Sequence, residues 1–134
     1  MRYLLDTHIA IWLLHGDDGL PREVLRIAER TEHELYLSAA STWEVVIKHQ
    51  KSPHKMELTG ETLVYYCNKA DIKILPILPE HVLTVATLRR PNTSTPHNDP
   101  FDRLLIAQSK HESMIFLTHD SLLAEYSEPT VRYV

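Results

Sequence analysis

The 134-residue chain predicts an α/β fold, with a mostly parallel central sheet flanked by helices on both faces. Two observations carry that expectation. Short apolar, strand-like runs alternate along the chain with longer segments whose apolar residues recur at helical spacing. Apolar residues make up 43% of the sequence and charged residues 24%, a balance that buries a core, and the length suits one domain spanning residues 1–134.

Each element has its own justification. Arg2 to Leu5 is a short apolar run that ends in Asp6-Thr7, and Ile9, Ile11, Trp12 and Leu13 then suit a buried helix. Leu20-Pro21 opens a helical stretch in which Val24, Leu25, Ile27 and Ala28 recur at helical spacing. Glu34 to Ser38 alternates and predicts a strand. Ser41 to Lys51 predicts a helix with Trp43, Val46 and Ile47 on one face, ended by Pro53. Glu61 to Ala70 predicts a helix and Lys73 to Ile77 a strand. Pro79 to Arg90 predicts a helix with proline at its start, where a missing N–H costs nothing. Residues 91–98 are a polar, breaker-rich loop, followed by a helix from Pro100 to about His111. Met114 to Thr118 predicts a strand, Ser121 to Glu125 a helical turn, and Val131 to Val134 a last strand.

Composition excludes several classes. Fourteen Lys and Arg against 18 Asp and Glu leave a net charge of −4, unlike a protein that holds nucleic acid on a broad basic surface. The single cysteine, Cys67, excludes an intramolecular disulfide and a thiolate-rich metal site and suits a reducing, cytoplasmic interior. The longest uninterrupted apolar run, Ile9 to Leu14, is far shorter than the ~20 residues of a membrane helix, and it follows Asp6 and His8, unlike a signal peptide.

Five carboxylates stand out, because ligands of a parallel α/β sheet bind beyond the carboxyl ends of its strands. Asp6 ends the first strand, and Asp120 follows Thr118-His119 after the last long one. Asp99 and Asp102 stand where a loop enters a helix, and Glu44 falls in the first turn of the helix after Glu34–Ser38. Each has a structural explanation. Asp6 and Asp120 suit helix caps, Ser41-Thr42-Trp43-Glu44 spells a capping box, Asp99-Pro100-Phe101-Asp102 reads as cap, proline and first-turn acid, and Glu44 has Lys48 at i+4. The set is harder to explain as caps, since Ser, Thr and Asn cap as well as acids. Two carboxylates ~4 Å apart repel by roughly 4 kcal/mol at an effective dielectric near 20. A hard divalent cation removes the conflict, and oxygen-only ligands select Mg²⁺ or Mn²⁺. Such a site activates water and neutralises a phosphate under attack.

Four segments carry a family resemblance: Tyr3-Leu4-Leu5-Asp6-Thr7-His8, Leu37 to Glu44, His97-Asn98-Asp99-Pro100-Phe101-Asp102-Arg103 continuing to Gln108, and Leu117-Thr118-His119-Asp120. In this order they resemble the PIN-domain ribonucleases, specifically VapC-type toxins of bacterial toxin–antitoxin pairs. The third segment is the most specific. The resemblance implies a single PIN-like domain and a four-acid site of Asp6, Glu44, Asp102 and Asp120. Asp99 either extends the metal set or only caps its helix. The resemblance also implies RNA cleavage with one or two Mg²⁺ or Mn²⁺ ions, frequent homodimers, and inhibition by a small antitoxin whose C-terminal segment lies in the active-site groove. His119 stands where many relatives carry Asn.

On this reading Asp6 and Asp102 are the principal ligands, completed by Glu44 and Asp120 directly or through water, while Thr118 positions a water or phosphate oxygen. Arg103 either offsets phosphate charge or pairs with a neighbouring acid. Lys48, Lys51 and Lys55 lie in a run without acids, and Arg89-Arg90 leads into the 91–98 loop; these are candidates to track an RNA backbone or form solvated faces. His8, His97 and His119 adjoin the acidic motifs but make no zinc-type spacing; they are candidates to contact RNA or tune the acids, or are single exposed histidines without a role. Trp12 and Trp43 are expected in the core, and Cys67 is expected to be a small buried hydrophobe. Without the five acids, 13 acidic residues face 14 basic ones, so the net negative charge belongs to one pocket.

Three rivals remain at this point. A receiver-like phosphoacceptor would pair acids after the first strand and carry a late lysine, but Asp6 is followed by Thr7, and Thr118-His119-Asp120 holds no Lys. His119-Asp120 alone suggests an HD-type phosphohydrolase, whose chemistry sits in a helical bundle. A silent PIN-like module that binds RNA or a partner without cutting is the non-enzyme alternative.

Overall fold

Strand β1 (Arg2–Leu5) lies at the centre of the computed structural model, which describes residues 1–134. On one side it pairs in parallel with β2 (Glu34–Ser38), which pairs in turn with β3 (Ile72–Leu75). On its other side lies β4 (Ile115–Thr118), then β5 (Val131–Tyr133). The order is β3-β2-β1-β4-β5, and every pairing is parallel. Receiver-like domains use the order 2-1-3-4-5. Here β4, and not β3, lies beside β1, which removes the phosphoacceptor reading on topology. The α/β architecture likewise removes the helical-bundle hydrolase.

Alternation along the strands explains why both faces are covered. Tyr3 and Leu5 of β1 join one core cluster while Leu4 joins the other, and in β4 Leu117 and Phe116 divide in the same way. The first cluster is closed by α1 (Thr7–His15), α2 (Arg22–Ala28) and α4 (Gly60–Lys69) through Ile9, Val24, Ile27, Leu63 and Cys67. The second is closed by α6 (Pro100–Glu112) and α7 (Ser121–Ala124) through Leu105, Ile106 and Leu123. Helix α3 (Ala39–Lys51) contributes Val45 to the first cluster and Ala40 to the second. Cys67 is fully buried and its thiol is pushed up to about 11 by burial, so it packs as a hydrophobe. No helix is long and apolar enough to cross a membrane.

Several expectations need correction. Helix α3 starts at Ala39 and is capped by Ser38, whose side chain accepts from Ala40 N at 3.0 Å. The expected Ser41–Glu44 capping box therefore does not form, and Glu44 lies in the second turn. The reason is local: β2 ends at Ser38 with its hydroxyl already placed to cap. Helix α5 (Pro79–Val85) stops five residues short of Arg90, and the Arg89 N–H turns instead to Glu128 Oε2 at 2.7 Å. Strand β3 ends before Pro76, which has no N–H to continue a ladder. Trp43 is 56% exposed and meets Phe101 edge-on at 5.0 Å, so it is not core.

Candidate metal centre

Strand order reverses between β1 and β4, and a crevice opens beyond their carboxyl ends. Asp6 follows β1 directly and Asp120 follows β4 by two residues. Glu44 reaches the same place from α3, and Asp99 and Asp102 from the start of α6. All five line one open cleft of about 440 Å³. His8, Trp12, Lys48, His119 and Ser121 complete its walls.

The acids are held firmly. Asp6 Oδ1 accepts from Thr7 N at 2.8 Å and Oδ2 from the Thr118 hydroxyl at 2.7 Å. The Thr118 oxygen accepts in turn from Asp120 N at 3.1 Å. Asp120 caps α7, accepting from Leu122 N at 2.9 Å. Asp99 caps α6, accepting from Asp102 N at 3.0 Å, and it lines the cleft as well. Cap and cleft wall are one and the same side chain there. Thr7 Oγ1 donates to Glu44 Oε1 at 2.9 Å and accepts from Ser41 Oγ at 2.8 Å. Glu44 also pairs with Lys48 Nζ at 3.1 Å.

Mutual repulsion is visible in the electrostatics. Burial, followed by the charges of Asp6, Asp99, Glu44 and Asp120, pushes the Asp102 carboxyl up to about 8. Burial also raises Asp6, opposed by the hydrogen bond from Thr118. Asp102 in this cluster favours holding a proton near neutral pH, and a divalent cation would displace it. The donors are all oxygens, so the set fits a hard cation such as Mg²⁺ or Mn²⁺.

A different trio, His81, His111 and Glu112, brings its potential ligand atoms within 4.8 Å of one another. Its hydrogen bonds favour a structural role. His81 Nδ1 accepts from Leu78 N at 3.0 Å, so the neutral ring carries its proton on Nε2, which donates to Glu112 Oε2 at 2.8 Å. A cation on Nε2 would move that proton to Nδ1, against the Leu78 N–H.

The remaining candidates divide. Lys48 lines the cleft, while Lys51 and Lys55 are exposed just beyond it in the sequence. Arg90 is committed to packing: its guanidinium bonds Leu122 O, Thr95 O and Glu125 and lies over the Tyr126 ring. Arg89 is exposed. Arg103 bonds the Tyr126 hydroxyl and Val85 O, makes no ion pair with an acid of the set and is not among the residues lining the cleft. Trp12, only partly packed against the core, stands edge-on to His8 and His119 in the cleft wall. Sequence reasoning did not place His97 against Asp102, where its Nε2 lies 3.2 Å from Oδ2. Burial, then the charge of Arg90, lowers its pKa and keeps the ring neutral. The only prior signal was its proximity in sequence.

Among curated proteins, none matches this chain in sequence. Solved structures do match over nearly their whole length. VapBC2 from Rickettsia felis, bound to a DNA fragment from its promoter, aligns with a TM-score of 0.68 at 14% identity, covering 100% of this chain and 98% of that one. A toxin–antitoxin complex from Klebsiella pneumoniae aligns with a TM-score of 0.61 at 17% identity, covering 97% and 95%. FitAB bound to an IR36 DNA fragment aligns with a TM-score of 0.63 at 20% identity, covering 98% and 93%. At these identities the likeness speaks to the fold. The PIN domain family model matches residues 3–129, from within β1 to just before β5, and this chain belongs to the PIN domain family.

Proposed function

We propose that this chain is an endoribonuclease that hydrolyses RNA phosphodiester bonds with Mg²⁺ or Mn²⁺, and the toxin of a toxin–antitoxin pair. The observation that carries the reading is the meeting of Asp6, Glu44, Asp102 and Asp120 around one cleft at the strand switch point, with Asp99 beside them. Proteins of the PIN family are generally nucleases, which agrees with a cleft of this chemistry. The toxin assignment and a small antitoxin partner are supported by the likeness to the VapBC and Klebsiella toxin–antitoxin assemblies.

Mg²⁺ or Mn²⁺, as one or two ions, supplies charge neutralisation at the scissile phosphate and lowers the pKa of the attacking water. The chain's own residues do the rest. Asp6 is the most buried carboxylate of the set; with Asp102, whose carboxyl its neighbours oppose, it would be a principal ligand, and Asp120 and Glu44 complete the set. Thr118 orients Asp6 by donating to Oδ2 and Asp120 by accepting its N–H. A carboxylate of the set takes the proton of the water that attacks phosphorus. Lys48 at the cleft wall, continued by Lys51 and Lys55, lies where a backbone entering the cleft would pass. A homodimer is consistent with the uncovered apolar side chains Val82 and Leu83 on α5 and Trp43 on α3.

Two experiments test the reading. The purified chain should cut single-stranded RNA when Mn²⁺ or Mg²⁺ is added, and Asp6→Ala should not. Expression without an antitoxin should arrest growth for the wild type only. Equal growth of the two strains would reject the toxin assignment. Binding of RNA without cleavage, cation present, would favour the silent module.

A further inference from the structure

A chain of partly buried polar groups outside the acidic set converges on one of its members. Arg103 Nη1 donates to the Tyr126 hydroxyl at 3.1 Å, and that oxygen lies 2.8 Å from His97 Nδ1. His97 Nε2 lies 3.2 Å from Asp102 Oδ2. A guanidinium has donors only, so the Tyr126 oxygen accepts from Arg103 and sends its own proton to His97 Nδ1. The neutral ring then carries its proton on Nε2 and donates it to Asp102. Every link runs in one direction, from a cation to a carboxylate.

The chain is also clamped in place. The His97 side chain is 5% exposed and Tyr126 is 5% exposed. The Arg90 guanidinium covers the Tyr126 ring at 4.9 Å while binding Thr95 O, which fixes the loop that carries His97. His97 is thus held from both sides while it touches a carboxylate that four other acids oppose.

We propose that His97 and Tyr126 are positioning residues for Asp102, pinning Oδ2 so that Oδ1 is the oxygen offered to a divalent cation. The inference rests on the metal reading of the cleft and adds the side chains that orient one of its ligands. Partners of this kind, one shell beyond a metal ligand, typically change metal affinity by about 10–100-fold when removed.

Direct Mn²⁺ binding, followed by the loss of the free-ion EPR signal, tests it without reference to cleavage. Expected are a roughly tenfold or greater weakening in His97→Leu and a smaller weakening in Tyr126→Phe. His97→Gln, whose amide can accept from Tyr126 and donate to Asp102, should restore affinity to within about threefold of wild type. The double variant His97→Leu/Tyr126→Phe should bind no more weakly than His97→Leu, since both act through one chain. Cation-free melting confirms that each variant is folded, and if His97→Leu is not, Tyr126→Phe, which deletes a single oxygen, decides. Folded variants that bind Mn²⁺ like the wild type, or a Gln variant as weak as Leu, overturn the proposal. A wild type that binds no Mn²⁺ overturns the metal reading itself, a result distinct from the other two.

Discussion

The hydroxyl of Thr118 donates to Asp6 Oδ2 at 2.7 Å, joining side chains 112 residues apart. The same oxygen accepts from Asp120 N at 3.1 Å, so one buried atom serves the acids at the ends of two neighbouring strands. The parallel pairing of β1 with β4, which sets Leu5 against Leu117, makes this possible. Thr118 thereby orients Asp6 and the backbone of Asp120 together.

Replacing that hydroxyl should therefore cost more than a surface change. Thr118→Val leaves Asp6 without its side-chain donor and Asp120 N without its acceptor, with a loss of about 1–3 kcal/mol of stability. Asp6, already raised by burial, should be raised further without the Thr118 hydrogen bond, so divalent-ion affinity falls as well. Thr118→Ser keeps both bonds and should recover both properties. Thermal melting and Mn²⁺ titration of the two variants check this, and equal behaviour of Val and Ser would reject it.

Neutralising a buried acid should separate stability from activity. Asp102→Asn removes the carboxylate that its neighbours oppose most, so the cation-free protein should melt at the same temperature or higher at pH 8. Cleavage should fall by at least ~100-fold, more than 2.7 kcal/mol of transition-state stabilisation. Asp6→Asn should likewise keep the fold and lose cleavage. Melting curves beside RNA cleavage assays check both, and an Asn variant that still cuts at the wild-type rate removes that residue from the catalytic set.

How much of this was legible in the sequence follows from which interactions are local. The strand Glu34–Ser38 and the loop at 91–98 were readable because alternation and breaker residues act over a few positions. The acids at strand ends were readable because a parallel sheet collects those ends on one edge. Ser41–Glu44 misled, since the capping signature competes with Ser38, and the winner depends on where β2 stops pairing. Trp43 misled because helical spacing does not say which side of α3 meets the core: Val45 is buried, while Trp43 and Ile47 are exposed. Arg90, Arg103 and His97 were out of reach, because all three are organised by Tyr126, whose position depends on the chain's return after α7.

Salt dependence should tell the binding cations from the structural ones. Lys48 lines the cleft and Lys51 is exposed, whereas the Arg90 side chain is 12% exposed and bonded to Leu122 O. Lys48→Glu with Lys51→Glu should weaken RNA binding and reduce the slope of log affinity against log salt by about 0.7 per lost phosphate contact. Arg90→Ala should lower the melting temperature and leave that slope unchanged. Fluorescence anisotropy with a short RNA at several salt concentrations checks both. An unchanged slope in the lysine variant would make that face merely solvated.

The Asp102 contribution to cation-free stability should fall as pH rises, contrary to the usual behaviour of a carboxylate, while His97, whose pKa is lowered by burial, works the other way below about pH 6.5. An Asp whose pKa is depressed by folding adds stability above its unfolded value. Asp102 is shifted the other way, from 3.8 to about 8, chiefly by burial and then by its acidic neighbours. The folded state therefore holds a proton that the unfolded chain releases, and stability falls wherever the folded state binds more protons. The Asp102 contribution is complete below about pH 4 and is lost progressively up to about pH 8, with Asp6 adding to the trend. A divalent cation replaces those protons, so Mg²⁺ should raise the melting temperature more at pH 8 than at pH 5. Asp102→Asn should flatten the cation-free profile and shrink the Mg²⁺ effect at pH 8. Calorimetric scans from pH 5 to pH 8, with and without Mg²⁺, check the sign: a cation-free melting temperature that rises equally in wild type and Asp102→Asn would show that the Asp102 proton is not what the fold retains.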